Sequence, residues 1–236
     1  MAQALTRFAT REEAADYAAG LVTGALEQAV AARGRASLMV SGGSTPGPVF
    51  DCLSLHPLAW EQVTVGLVDE RWVPPEDAAS NERLVRSRLL VNRAGAAGLI
   101  PMWTPVETAE AAAADRNAAY TPHCAPADVV LLGMGNDGHT ASWFPGSKGL
   151  EAALSPPDGA VIAAIDATGC PVAGSNVHRL TLTGPAVVSA GAALLLVFGD
   201  EKLDVLERAR RADPLDMPVR HAIDGLGDRL TIIWAP

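Results

Sequence analysis

Residues 128–147 read DVVLLGMGNDGHTASWFPGS, a stretch that changes character halfway. Val129, Val130, Leu131 and Leu132 are an unbroken apolar run, the pattern of a strand covered on both faces. The chain then turns through Gly133, Gly135 and Gly138 and presents Asp137 and His139 where the strand ends. Glycines so spaced let backbone approach a ligand closely, and a carboxylate beside an imidazole can move protons. A tight structural turn reads the same way, so other segments must decide.

Outward from this stretch, apolar runs and helical spacings alternate. Thr10 and Glu13 form a capping box, and Ala14, Ala18, Leu21, Val22, Ala25 and Ala29 continue a helix to Gly34. Strands are predicted at 37–40, 63–68, 161–165, 178–183, 193–198 and 230–234, the last closing the sheet. Helices are predicted at 80–90, 107–120 and from Lys202 to about Arg211, and Ser44 or Thr45 can cap another with Pro46 at its first position. Strands alternating with helices imply an α/β fold, a mostly parallel sheet covered on both sides, without a linker to divide residues 1–236.

In such a sheet, ligands sit beyond the carboxyl ends of the strands. SGGSTP (41–46), DERWVPP (69–75), GMGNDGH (133–139) and GDEK (199–202) each follow a predicted strand, which places all four on one rim. Only about a dozen residues, broken by Gly169, Pro171 and Gly174, separate the strands at 161–165 and 178–183. That is too short for a helical crossover, so the pair is expected to be antiparallel, bringing Arg179 to the same rim.

The formal net charge of −9 argues against a nucleic-acid or anionic-membrane partner. An anionic substrate must instead be met by local cations. Cys52, Cys124 and Cys170 are far apart, as in a reducing compartment. Residues 1–16 lack a signal core and no apolar run is long enough to span a bilayer, so a cytoplasmic location is expected. The sequence leaves oligomeric state open, and a monomer is compatible with it.

GMGNDG matches a dinucleotide fingerprint, but Pro145 stops the helix that should follow and Asp166 lies beyond the expected acidic position. GGSTPGP has Pro48 where a P-loop needs lysine, although a helix start with free N–H groups can still cradle one phosphate. HExxH and His/Cys clusters are absent, so no catalytic metal is expected, and without GxSxG no serine sits on an evident nucleophile elbow. His139, oriented by Asp137, is left as the best base for water or a carbon-bound proton. Gly42, Gly43, Ser44, Thr45, Arg71, Arg179 and Lys202 supply what one phosphate ester requires, although Arg71 reads equally as a salt-bridge partner. Lys202 stands in a first helical turn, where the macrodipole disfavours a cation unless an anion or its acidic neighbours compensate.

SGGSTP, DERWVPPEDAASNERL (69–84), GMGNDGHTASWFPGS and HRLTLT (178–183), in this order, resemble the 6-phosphogluconolactonases related to glucosamine-6-phosphate deaminase. The resemblance implies a three-layer Rossmann-like sandwich with a small antiparallel part, no cofactor, and hydrolysis of the δ-lactone of 6-phosphogluconate in the oxidative pentose phosphate pathway. In deaminases a motif like DGHIAFNEPG carries a glutamate that falls here on Phe144, which cannot relay a proton. The lactonase pattern is therefore favoured over a deaminase or isomerase. Against a non-catalytic sugar-phosphate sensor stand the acidic charge, a first 35 residues with one long helix instead of a DNA-binding pair, and the presence of both Asp137 and His139. On that pattern His139 activates water, Gly135 and Gly138 offer N–H groups to the oxyanion, and Arg179, Lys202 and the glycine–serine turn hold the phosphate. Asp69 matches the acid that abstracts a proton in deaminases, and its part in a hydrolase is open.

Overall fold

Among the described residues ten short strands divide into two sheets. They are β1 (Leu5–Arg7), β2 (Ala36–Val40), β3 (Val63–Leu67), β4 (Asp69–Arg71), β5 (Gly98–Leu99), β6 (Val129–Gly133), β7 (Ile162–Asp166), β8 (His178–Leu182), β9 (Ala192–Phe198) and β10 (Leu230–Ala235). In this computed structural model, which describes residues 5–156 and 159–236, β1-β10-β9-β6-β2-β3-β5 form a seven-stranded sheet whose pairs all run parallel. The order β4-β8-β7 forms a three-stranded antiparallel sheet. The expectation of no signal core in residues 1–16 extends over residues 1–4, outside the described ones.

The helices are α1 (Arg11–Arg33), α2 (Gly47–Leu55), α3 (Asn81–Arg88), α4 (Ala109–Cys124), α5 (Leu150–Leu154), α6 (Gly184–Val188), α7 (Asp200–Ala209) and α8 (Val219–Leu226). They cover both sides of the central sheet, giving the three-layer Rossmann-like α/β sandwich. Thr10 caps α1 through the Glu13 N–H, as its capping box predicts, while the Glu13 carboxylate reaches the Ala9 N–H. The central strands are buried on both faces: β2 and the first four residues of β6 are inaccessible throughout, as their unbroken apolar runs require.

The winding of the chain places the crevice. From β2 it moves outward through β3 to β5, returns to β6 beside β2, and moves outward the other way through β9 to β10. The direction therefore reverses between β2 and β6, where open α/β sheets leave a cleft beyond their carboxyl ends.

Three of the differences from the sequence expectation lie in the sheets and at the first crevice turn. Residues 69–71, read as polar loop, are strand β4: the Val68 N–H still bonds the Val40 carbonyl of the first sheet, while its own carbonyl accepts from Leu182 of the second. Val68 is thus the point where the chain changes sheets. The strand at the C-terminal end does not close the sheet, because β1 pairs outside it. Neither Ser44 nor Thr45 caps α2; Pro46 stands at the cap position, and both hydroxyls are left for the crevice. The antiparallel β7–β8 pairing is present as expected, with Arg179 opposite Arg71 across β8 and β4.

Candidate active site

A cavity of about 290 Å³ opens at this reversal, lined by the 41–45 turn, Asp69, Arg71, Asn81, the residues around Gly133–Gly135, His139–Ala141, Phe144, Val172, Ala173, Arg179 and Lys202. All four rim segments contribute. The turn after β2 is stitched to β6 by the Ser41 N–H on the Leu131 carbonyl, 3.0 Å. Among the described residues no group accepts from the N–H of Gly42, Gly43, Ser44 or Thr45. The buried Ser41 Oγ is also without a partner. Buried polar groups are normally paired, which makes Ser41 Oγ the exception here; the N–H groups of the half-buried Gly42 and Thr45 and the exposed Gly43 and Ser44 face the open cavity, where water or an anion can accept from them.

His139 is held from two sides. Its Nδ1 lies 2.6 Å from Asp137 Oδ1, and its backbone N–H donates to the same oxygen at 3.1 Å. The short Asx turn thus orients the ring and fixes Nδ1–H on the carboxylate, which leaves Nε2 as the basic nitrogen. Burial opposes ionisation of Asp137, but the hydrogen bond and charge of His139 outweigh it and hold the carboxyl below its ordinary value. The imidazole packs on Gly135, where a Cβ would collide with it, and against Phe144 with ring centroids 4.4 Å apart.

Gly135 and Gly138 do not serve as the sequence suggests. The Gly135 N–H donates to the His139 carbonyl and the Gly138 N–H to the Gly135 carbonyl, so both are consumed in closing the turn. Gly138, at φ 80°, lies against Met217 and does not line the cavity. Ala141, which does line it, is left-handed at φ 52°, a strained conformation for a residue with a side chain.

The cations differ in how free they are. Arg179 is almost wholly buried; its Nε donates to Asn176 O at 2.6 Å and its Nη2 to Ala173 O at 2.9 Å, while Nη1 lies 3.9 Å from Asp69 Oδ2. Its guanidinium also sits 5.4 Å from the Phe144 ring centroid. Burial lowers its pKa, with the Arg71 charge acting the same way and Asp69 opposing. Arg71 makes no ion pair among the described residues: Nη1 donates to Ala79 O, and the buried Nε has no partner. Lys202, in the first turn of α7, is likewise without an ion pair among the described residues, and burial followed by the Arg11 charge lowers its pKa. Its neighbour Glu201 is drawn away to Asn136 Nδ2 at 2.9 Å, which ties α7 to the 133–139 turn.

Asp69 is buried in the wall, accepting from Ser142 Oγ at 2.7 Å. Its carbonyl accepts from Asn81 Nδ2 at 2.8 Å. Behind it Glu70, with no exposed surface, accepts four hydrogen bonds: from the N–H groups of Arg71, Asn81 and Glu82 and from Ser80 Oγ. Burial nevertheless pushes its carboxyl up to about 7, against donors that all favour the anion. Asn81, Ser142 and Glu70 are absent from the sequence-based site.

A family model described as glucosamine-6-phosphate isomerases/6-phosphogluconolactonase matches residues 9–232. This chain belongs to that family. Relatives named 6-phosphogluconolactonase include one from Xylella fastidiosa strain Temecula1, 47% identical over 89% of this chain and 86% of its own length. Another, from Rhizobium meliloti strain 1021, is 46% identical over 89% of each. The crystal structure of a 6-phosphogluconolactonase from Shewanella baltica OS155 superposes with a TM-score of 0.93 at 38% identity, covering 99% of this chain and 98% of that one. Within a family that joins two activities, Phe144 is the informative wall residue: fully buried between the imidazole and the Arg179 guanidinium, it offers no proton to either.

Proposed function

We propose that this chain is a cytoplasmic 6-phosphogluconolactonase, folded as one domain over residues 1–236, that hydrolyses 6-phospho-D-glucono-1,5-lactone to 6-phosphogluconate. The observation that carries the reading is the Asp137–His139 pair, 2.6 Å apart, on the wall of a cavity that also holds Lys202 and the turn of unpartnered N–H groups. A lactone carbonyl is already electrophilic, so catalysis needs an oriented base, donors for the oxyanion and a grip on the phosphate, without a covalent nucleophile.

His139 Nε2 takes a proton from water as its oxygen attacks C1. Asp137 stabilises the imidazolium that forms. The C1–O5 bond then breaks, and the imidazolium returns its proton to the departing ring oxygen. With the Gly135 and Gly138 N–H groups occupied, the oxyanion is left to Arg71 and to the cavity-lining N–H groups of Thr140 and Ala141, which have no acceptor among the described residues; Arg179, tied to the Asn176 and Ala173 carbonyls, keeps its charge for the phosphate. The phosphate goes to the N–H groups and hydroxyls of Gly42, Gly43, Ser44 and Thr45 and to Lys202, whose unpaired charge in a helical first turn suits a bound anion. Asp69, committed to Ser142, shapes the wall and is well placed for sugar hydroxyls.

The test compares two activities. With spontaneous hydrolysis subtracted, the protein should accelerate opening of 6-phosphogluconolactone and release no ammonia from glucosamine 6-phosphate. Ammonia release without lactone hydrolysis would reverse the assignment.

A further inference from the structure

Asn81 has an unusual environment for the first residue of a helix. Such a position normally faces solvent, yet Asn81 is 2% exposed and forms part of the cavity wall. Its Nδ2 donates to the Asp69 carbonyl, so the amide orientation is determined by an obligate acceptor, and Oδ1 must face the other way. The carboxamide fills the space over Gly42, where any Cβ would run into it. Asn81 therefore stands between the phosphate-binding turn and Asp69. Among the described residues no donor serves its Oδ1. Oδ1 leans over Gly42 yet keeps some exposure to the cavity, where a carboxamide oxygen is an acceptor for a ligand O–H.

Its position is imposed by Glu70. That carboxylate accepts the Asn81 and Glu82 N–H groups at 2.8 Å each and Ser80 Oγ at 2.9 Å, which clamps the start of α3 to β4. A fourth bond, from the Arg71 N–H at 2.8 Å, fixes the other cavity residue on the same strand. A carboxylate at a helix N-terminus is stabilising anywhere, but here each of its partners flanks or belongs to the cavity wall.

We propose that Asn81 reads one ring hydroxyl of the phosphorylated lactone through Oδ1, and that Glu70 is the positioning residue that holds it there. This rests on the lactonase reading and adds a specificity determinant to it: the hydroxyl is one of those at C2–C4, between the phosphate and the reacting carbonyl.

The experiment uses 6-phosphogluconolactone and its 2-, 3- and 4-deoxy analogues with the wild-type protein, Asn81→Ala, Asn81→Ser, Glu70→Gln and the Glu70→Gln/Asn81→Ala double variant. A lost neutral hydrogen bond corresponds to roughly 3- to 10-fold in kcat/KM. The wild type should lose that factor on one analogue in particular. Asn81→Ala should lose it on the parent lactone, mainly through KM, and lose nothing more on that analogue while still discriminating the other two. Asn81→Ser, too short to reach, should match it and stands in if the alanine variant does not fold. Glu70→Gln should erase discrimination at the same hydroxyl, and the double variant should show the analogue pattern of Asn81→Ala, any further loss through Arg71 falling equally on the parent lactone and all three analogues. A purely structural Glu70 would lower Tm and leave the analogue pattern intact. Discrimination of all three analogues that survives in Asn81→Ala, or an unchanged parent KM, overturns the proposal. Absence of lactone hydrolysis in the wild type would instead strike the functional reading itself.

Discussion

At the scale of single residues, the proposed reaction depends on one tautomer. Asp137 and His139 are two positions apart in the chain, and the Asx turn that joins them makes the imidazole present Nε2. Removing the base with His139→Ala should lower kcat by about 10²–10⁴-fold. Asp137→Asn keeps the shape but offers an amide N–H to Nδ1, which favours the wrong tautomer; its kcat should fall in the same range with KM little changed. Stopped-flow rates corrected for spontaneous hydrolysis check both, and near-wild-type turnover in either variant would remove that residue from the mechanism. This pair was legible in the sequence because its partners are neighbours. Asn81 was not, because its meaning comes from Gly42 and Asp69, 39 and 12 positions away, and SNER reads locally as a helix start. Ser142 was hidden for the same reason: its hydroxyl answers a carboxylate 73 positions distant.

At the scale of elements, the site is assembled from turns that strands deliver and side chains brace. The turn after β2 passes under the Asn81 carboxamide, so Gly42 is constrained by close approach rather than by dihedral angle. Gly42→Ala should push the carboxamide and turn apart. Overpacking of this kind costs about 1–3 kcal/mol, or roughly 2–12 °C in Tm for a chain of this size. KM for the phosphorylated lactone should rise well beyond what that loss of stability explains, because the N–H groups proposed to bind the phosphate move with the turn. A fall in Tm with KM unchanged would show that the turn is structural only. The long apolar strands and the antiparallel pair that carries Arg179 follow from composition, periodicity and connection length. The pieces that did not emerge are those without a period: β1 and β4 have three residues and β5 two, too few for alternation, and their pairing partners alone make them strands. Helix α8 is different. Val219, Ala222, Ile223 and Leu226 repeat at helical spacing and are buried, so a periodicity reading that stopped at Arg211 left out a helix that was there to be read.

At the scale of the whole molecule, the C-terminal helix is packed through His221 on Trp143, next to the Phe144 of the candidate site. Its ring meets Trp143 edge-on at 5.8 Å, and its Nε2 packs over Gly184 at the start of α6. Trp143 in turn donates Nε1–H to the Leu182 carbonyl at 2.8 Å, so the contact joins the main body to the small sheet. Burial lowers the His221 pKa from its ordinary 6.5, with Asp224 opposing. The sign follows from proton uptake: above 6.5 the imidazole is neutral in both folded and unfolded chains, and stability does not depend on it. As pH falls below 6.5 the unfolded chain takes up a proton that the folded one resists, so stability declines until the folded pKa is passed. Glu70 acts in the opposite direction, since a folded pKa raised from 4.5 to about 7 makes the folded chain bind its proton first over that window. The wild-type curve therefore mixes both effects, and the difference between wild type and His221→Gln isolates one. Because Glu70 is common to both proteins, the Tm advantage of the wild type over His221→Gln should be largest near pH 7.5 and shrink progressively toward pH 5.5. Thermal unfolding at half-unit pH steps measures it. A difference that stays constant across that range would mean that the ring packs on Trp143 without resisting its proton, and that the junction between the two sheets carries no acid sensitivity from His221.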